Sequence, residues 1–251
     1  MIFKRITAFL AASALCLTAV SCSFGSKDPE PEESSAVSES SAENTGVSGI
    51  GELITPAEGD EDYELGSYRI SPSGIKLYYD DSEISPEVML ALEKYFTCFQ
   101  DRDFETYKEC LYPDYIERYG KYLEENFEYG LENSFELNCE GLRSYMKDEV
   151  AGELDSEDES ITGDFTITRL HAEIPEITDG KTIEEVTESF FGYFTEAFGM
   201  DYYEEVKNNS DDIEYLAFYI IAEGEDGEEH LIISNYEIAF ARVGDKYYTF
   251  G

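Results

Sequence analysis

Residues 213–250, IEYLAFYIIAEGEDGEEHLIISNYEIAFARVGDKYYTF, decide the fold class. Ile213 to Ala222 is apolar on both faces, which is the pattern of a central strand covered on both sides. Glu225-Asp226-Gly227 supplies the turn of a hairpin. Glu229 to Val243 reads as the long returning strand. Gly244-Asp245 turns again, and Lys246 to Phe250 closes the sheet. Strands joined by such tight turns pair antiparallel.

Upstream of this meander the period changes from two to 3.6. Ser85-Pro86-Glu87 is a helix start, with a capping hydroxyl, a proline at the first helical position and an acid in the first turn. Val88, Leu92, Tyr95, Phe96 and Phe99 share one face of that helix. Asp103 caps a second, short helix to about Leu111. Ile116, Tyr119, Leu123 and Phe127 mark a third, and Leu142, Tyr145, Met146 and Val150 a fourth. The acidic run Asp155 to Ser160 is a loop, and Phe165 to Ile174 is a strand closed by Pro175. Thr182 and Glu185 form a capping box ahead of the stripe Ile183, Val186, Phe190, Phe194 and Ala197. Asp201 to Asn208 is a short helical piece. A small hairpin precedes all of this: Ser67 to Ile70 and Ile75 to Tyr79 flank the turn tetrad Ser71-Pro72-Ser73-Gly74. Helices first and an antiparallel meander last make an α+β protein, not alternating βαβ units. No repeat of solenoid period is present.

The chain has 251 residues, with 57 Asp plus Glu against 17 Lys plus Arg, a net charge of −40. That balance excludes nucleic acid as a partner, because phosphate binding needs a basic surface. It equally opposes adsorption to anionic lipid through the protein's own surface. Hydrophobic residues at 42% and aromatics at 14% are too many for a wholly disordered chain.

The N-terminus reads as an address. Lys4 and Arg5 precede an apolar run from Ile6 to Val20, and polar residues begin at Ser21. The run falls short of the roughly 20 residues that span a bilayer, so residues 1–21 are expected to be a signal peptide. Leu17-Thr18-Ala19-Val20-Ser21-Cys22 resembles the lipobox of bacterial lipoproteins, with Ala19 where that family most often has Leu. Cys16 follows the bulky Leu15 and is the poorer candidate. The resemblance implies a lipid on Cys22, membrane attachment through it, and a location on the outer, extracytoplasmic face of the cell membrane. The competing reading is an ordinary secretory signal cleaved near Ala19 or Ser21. Residues 22–62 are Ser- and Glu-rich without apolar periodicity, and are expected to form a disordered tether. Flexible coil of that length spans roughly 35 Å. Residues 63–251 are expected to form a single α+β domain.

Two stretches of that domain resemble the NTF2-like (cystatin-like cone) superfamily. In Val88 to Leu111 an apolar helix ends in Gln100-Asp101-Arg102-Asp103-Phe104-Glu105, and a second helix follows at once. Leu231 to Phe250 is a long strand, a Gly-Asp turn and a short aromatic last strand, with Tyr247 or Tyr248 where members often carry Trp. The resemblance implies a curved sheet wrapped round a helix, a pocket at the open end, and a helical insertion over Tyr112 to Leu154. Members include enzymes and many non-catalytic binding domains, so fold alone does not choose between them.

The chemistry-bearing residues are few. Strand alternation places Arg169, His171 and Glu173 on one face with Phe165 and Ile167. His171 with Glu173 is a candidate acid–base pair; the competing reading is a solvent-facing row of ion pairs. His230, after Glu228 and Glu229, is expected to be exposed. Cys98, Cys110 and Cys139 have no His nearby in sequence and are expected to be buried and inert, with a Cys98–Cys110 bridge left open. No metal site and no cofactor is implied. The acidic runs Asp155 to Ser160 and Glu223 to Glu229 lack the glycine and the carboxylate spacing of a calcium loop. Two functions follow. One is a non-catalytic lipoprotein whose domain binds an unidentified ligand or envelope partner. The other is an extracytoplasmic hydrolase or isomerase using His171 and Glu173 in the cone pocket.

Overall fold

A computed structural model describes residues 49–154, 161–177 and 180–251. The signal peptide, Cys22, the tether as far as residue 48 and the acidic run 155–160 lie outside the described residues. In chain order come β1 (Arg69–Ile70), β2 (Lys76–Tyr78), α1 (Pro86–Asp101), α2 (Phe104–Cys110), α3 (Pro113–Phe127) and α4 (Leu131–Leu154). There follow β3 (Thr166–Glu173), α5 (Ile183–Phe198), α6 (Tyr202–Asn209), β4 (Asp212–Glu223), β5 (Glu229–Val243) and β6 (Lys246–Thr249). The six strands form one curled sheet in the order of the sequence, so the mixed α+β class holds.

Local chemistry sets the helix ends. The Ser85 hydroxyl accepts from the Val88 amide and Pro86 opens α1; Arg102, left-handed at φ 54°, ends it. Asp103 accepts from the Thr106 amide at the start of α2. Thr182 and Glu185 form the reciprocal capping box of α5, and Gly199 at φ 68° closes that helix. Asp201 caps α6. Helix α4 starts earlier than its expected stripe, and it buries Phe135, Cys139, Met146 and Val150, not Leu142 and Tyr145.

The sheet differs from expectation in three ways. First, β2 pairs with β3 in parallel, Leu77 opposite Leu170; the other pairs are antiparallel. The helical layer α1–α4 intervenes, and a crossover of that length permits parallel pairing, as a tight turn does not. Second, β3 bulges at Thr168: Ile167 opposes Ala222 and Arg169 opposes Ile221. The extra residue moves Arg169, His171 and Glu173 off the face of Ile167. Ile167, Leu170 and Ala172 are the buried core positions. Third, folded structure begins before Tyr63. Ile50 is buried, the Gly51 amide donates to the Ile70 carbonyl at 2.9 Å, and Ile54 bridges Tyr68. Asp62, expected as the end of the tether, is 7% exposed. It is held there by basic and phenolic partners on β2 and β3, as described below.

Val88, Met89, Leu92 and Phe96 of α1 are buried together with Leu77, Leu170, Phe218 and Ile220 of the sheet in one core. Phe135 stacks on Phe99 and lies 4.8 Å from the Tyr107 ring. A second aromatic group joins α3, α5, α6 and the chain's end through Tyr115, Phe191, Phe194, Tyr202 and Phe250.

Candidate functional site

The expected acid–base pair sits on the face of β3 away from the core. Register places Tyr78, His171 and Tyr219 side by side on β2, β3 and β4. Their rings stack, with centroids 4.0 Å and 4.1 Å apart at 5° and 19°. His171 is 7% exposed, not solvent-facing. Its Nδ1 lies 2.5 Å from the Tyr219 hydroxyl, and its Nε2 is buried without a partner. Burial, with the Arg169 guanidinium adding to it, pulls the His171 pKa down to about 4. Arg169 pairs with Asp62 at 3.0 Å and with Glu229 at 2.6 Å. Asp62 also takes the Lys76 ammonium at 2.6 Å and the Tyr78 hydroxyl at 2.9 Å. The cross-strand ion pairs are therefore present, but they are largely covered. Glu173 is exposed, and the hydrogen bond of His171 goes to Tyr219, not to that carboxylate. His171 lines neither of the two clefts described below.

A buried neutral imidazole makes stability depend on pH. The unfolded chain takes up the proton near 6.5, the folded one only near 4. Stability gained by keeping His171 neutral is thus lost as pH falls from about 6.5 towards 4. Melting temperatures across that window should decline in wild type, and the decline should be shallower in His171→Gln. Parallel declines would show that His171 does not resist protonation.

His230 also departs from expectation. It is 7% exposed, and its Nε2 lies 2.8 Å from Asp226 Oδ2 across the hairpin turn. The turn carboxylate folds back on the strand and covers the ring.

Sequence reading did not single out Glu93, a carboxyl buried on α1. It lies on α1 beside the apolar face, next to Leu92, four residues after Met89 and three before Phe96. It is 6% exposed. The turn between β1 and β2 folds over it, aided by Gly74 at φ 95°, a conformation that suits glycine. From that turn Ser71 Oγ donates to Glu93 Oε1 at 2.9 Å, and Ser73 Oγ donates to the same oxygen. Ser71 is itself fixed by the amide of Ile75, which donates to its hydroxyl at 3.1 Å. Glu93 Oε2 has no partner. Burial pushes the carboxyl pKa up, and the two serine donors act against it. Glu93 borders a cleft of about 440 Å³ whose wall includes Pro72, Ile75, Leu90, Ile167 and Asp101. The one sequence signal was an acid set among the apolar neighbours of α1.

A second cleft, of about 360 Å³, lies beyond Leu90 and Lys94 and is lined by Cys110, Phe240, Lys246 and Tyr247 among others. Cys98, Cys110 and Cys139 are buried and unbridged. The thiols of Cys98 and Cys110 share a hydrogen bond, which holds Cys98 above and Cys110 below the ordinary thiol range.

Among the described residues no three His, Cys, Asp or Glu side chains are grouped to hold a metal ion. No described helix is long and apolar enough to cross a membrane. Compared with protein-family models, with curated proteins and with solved structures, the chain gives no match.

Proposed function

We propose that this chain is an extracytoplasmic lipoprotein whose α+β domain binds a ligand, without catalysis, in the cleft beneath the β1–β2 turn. One observation carries the binding site. Glu93 is a buried carboxyl in the wall of a cleft, with one oxygen held by two serines and the other buried without a partner. Buried polar atoms are almost always paired, so an unpaired one in a residue of a cleft wall marks that cleft as the place for a ligand.

The anchor is argued from sequence: the apolar run Ile6 to Val20, the small Ser21 and then Cys22. Two acyl chains at about 0.8 kcal/mol per buried CH₂ hold a protein on the outer face of the cell membrane. The NTF2-like reading is supported by the close succession of α1, Arg102-Asp103 and α2, and by the β4–β5–β6 meander. In that reading α3 and α4 are the insertion. The enzyme alternative would need His171 as an acid or base near a substrate. A neutral imidazole packed between two phenol rings gives it no support.

Labelled palmitate should enter the wild-type chain and be absent from Cys22→Ala, which should also leave the membrane fraction. Equal labelling of both would refute lipidation at Cys22. For the cleft, a thermal-shift screen on the full chain should find compounds whose stabilisation disappears in Glu93→Gln. Ligand at a hundred times its Kd stabilises by about 2.7 kcal/mol, which such a screen resolves.

A further inference from the structure

We infer that Cys98 and Cys110 are a dithiol pair that closes to a disulfide by exchange with a small organic disulfide, Cys110 reacting first, and so staples α1 to α2. The site is separate from the Glu93 cleft. Only the supply of such disulfides rests on the extracytoplasmic location proposed above, since they persist outside the cell and not in a reducing cytosol.

The fold brings the two thiols together through a helical corner. Arg102 and Asp103 alone separate α1 from α2. Their amides both donate to the Cys98 carbonyl, that of Asp103 at 2.9 Å, so the corner is pinned at Cys98. One turn earlier on α1, Lys94 pairs with Glu109 of α2 at 3.0 Å. The Tyr107 ring lies 5.6 Å from Tyr95 and 5.4 Å from Phe99. Residues 94, 95, 98 and 99 thus form the stripe of α1 that meets α2. Cys110, three residues after Tyr107, belongs to the facing stripe of α2. Both cysteines are buried there, and their thiols share a hydrogen bond. Adjacent sulfurs on two packed elements are what a disulfide requires.

The two thiols are not equivalent. The Cys98 thiol donates to the Lys94 carbonyl at 3.0 Å, and the Cys110 sulfur is a second acceptor for the same hydrogen. The shared hydrogen bond holds Cys98 above the ordinary thiol range and Cys110 below it; Lys94 and Lys246 also favour the Cys110 thiolate, while burial and Glu109 oppose it. Cys110 is in the wall of the second cleft, with both lysines, and Cys98 is not. The thiolate is the attacking species in exchange, so Cys110 attacks first. Its sulfur breaks the S–S bond of the small disulfide, forms a mixed disulfide and releases one thiolate. Cys98 then attacks the Cys110 sulfur and releases the second. The protein dithiol is oxidised by two electrons, the small disulfide is reduced to two thiols, and the hydrogens of Cys98 and Cys110 end on those thiols. Cys139, buried on α4, supplies a control within the same chain: burial pushes its thiol up to about 11.

The test treats the purified, reduced full chain at neutral pH with 2-hydroxyethyl disulfide, whose neutrality avoids repulsion by the net charge of −40. Denaturation, alkylation and peptide mapping then locate each thiol. The expected result is a Cys98–Cys110 link, with Cys139 modified at least about tenfold more slowly. In Cys98→Ser, Cys110 should retain the hydroxyethylthio group, because the thiol that displaces it is gone. In Cys110→Ser, Cys98 should stay alkylatable. Cys98 and Cys110 both remaining free in wild type would overturn the inference. Loss of all three thiols at one rate would overturn it too, by assigning the reaction to unfolded chain. An adduct on Cys98 in Cys110→Ser, formed as fast as that on Cys110 in Cys98→Ser, would overturn the order of attack. Should either variant fail to fold, the wild-type link and its rate against Cys139 decide. The purified chain needs no membrane, so none of these outcomes depends on the lipid anchor.

Discussion

Phe191→Ala is expected to destabilise the domain by about 3–5 kcal/mol, the range of phenylalanine truncations that leave a cavity. Phe191 is fully buried on α5. Its ring centroid lies 4.8 Å from Phe250, 5.5 Å from Tyr203 and 6.1 Å from Phe194 and Tyr202. These neighbours come from α5, α6 and the residue after β6. Truncation therefore removes packing from three elements at once, and aromatic pairs carry about 0.5–1.5 kcal/mol beyond their buried area. Much of a marginal stability of 5–15 kcal/mol would be lost. Chemical denaturation of the purified chain measures it. A loss below about 1 kcal/mol would mean that α5 does not pack on the chain's end as described.

Arg143→Ala is the second large effect, expected at about 3 kcal/mol. Arg143 is 8% exposed on α4. Its guanidinium donates to the carbonyls of Phe99 at 3.1 Å and Gln100 at 2.7 Å. These are among the last carbonyls of α1, which have no partner within the helix. A cation at that end is also favoured by the helix dipole. Nε bonds Asp164 at 2.9 Å, but that carboxylate is largely exposed, so the pair adds little. Removing the side chain strands buried carbonyls at about 1–3 kcal/mol each. Arg143→Lys should recover only part of the loss, because one ammonium cannot reproduce the planar fork. Full recovery by Lys would show that charge alone, not the two-carbonyl geometry, holds α1.

How much of this was legible follows from the range of the interactions. The caps at Ser85, Asp103 and Thr182 need only the next three residues, and each was readable. The β4–β5–β6 meander was equally readable, because tight turns join its strands. The parallel pairing of β2 with β3 was hidden by the helices between them. The bulge at Thr168 depends on the register of β4, which alternation along β3 does not contain. His171 looked exposed because its cover is Tyr78, Tyr219 and the Asp62 segment, all remote in sequence. Glu93 escaped notice for the same reason: the serines that hold it come from the β1–β2 turn. An acid amid the apolar neighbours of α1 was its only local trace, and such a residue more often points to solvent.

The account stands on Glu93 being a buried carboxyl with one unpartnered oxygen. A carbon-detected NMR titration of that side chain in the full, ligand-free chain tests this most directly. The expected result is a midpoint clearly above the ordinary glutamate value of about 4.3, because burial outweighs the two serine donors. A folded-state value above the unfolded one contributes stability at low pH that is lost as pH rises through the midpoint. Glu93→Gln should therefore melt higher than wild type at neutral pH, and the gap should close near pH 4. A Glu93 midpoint at or below the ordinary value, with no stability gap between the two proteins, would contradict the site and the function built on it.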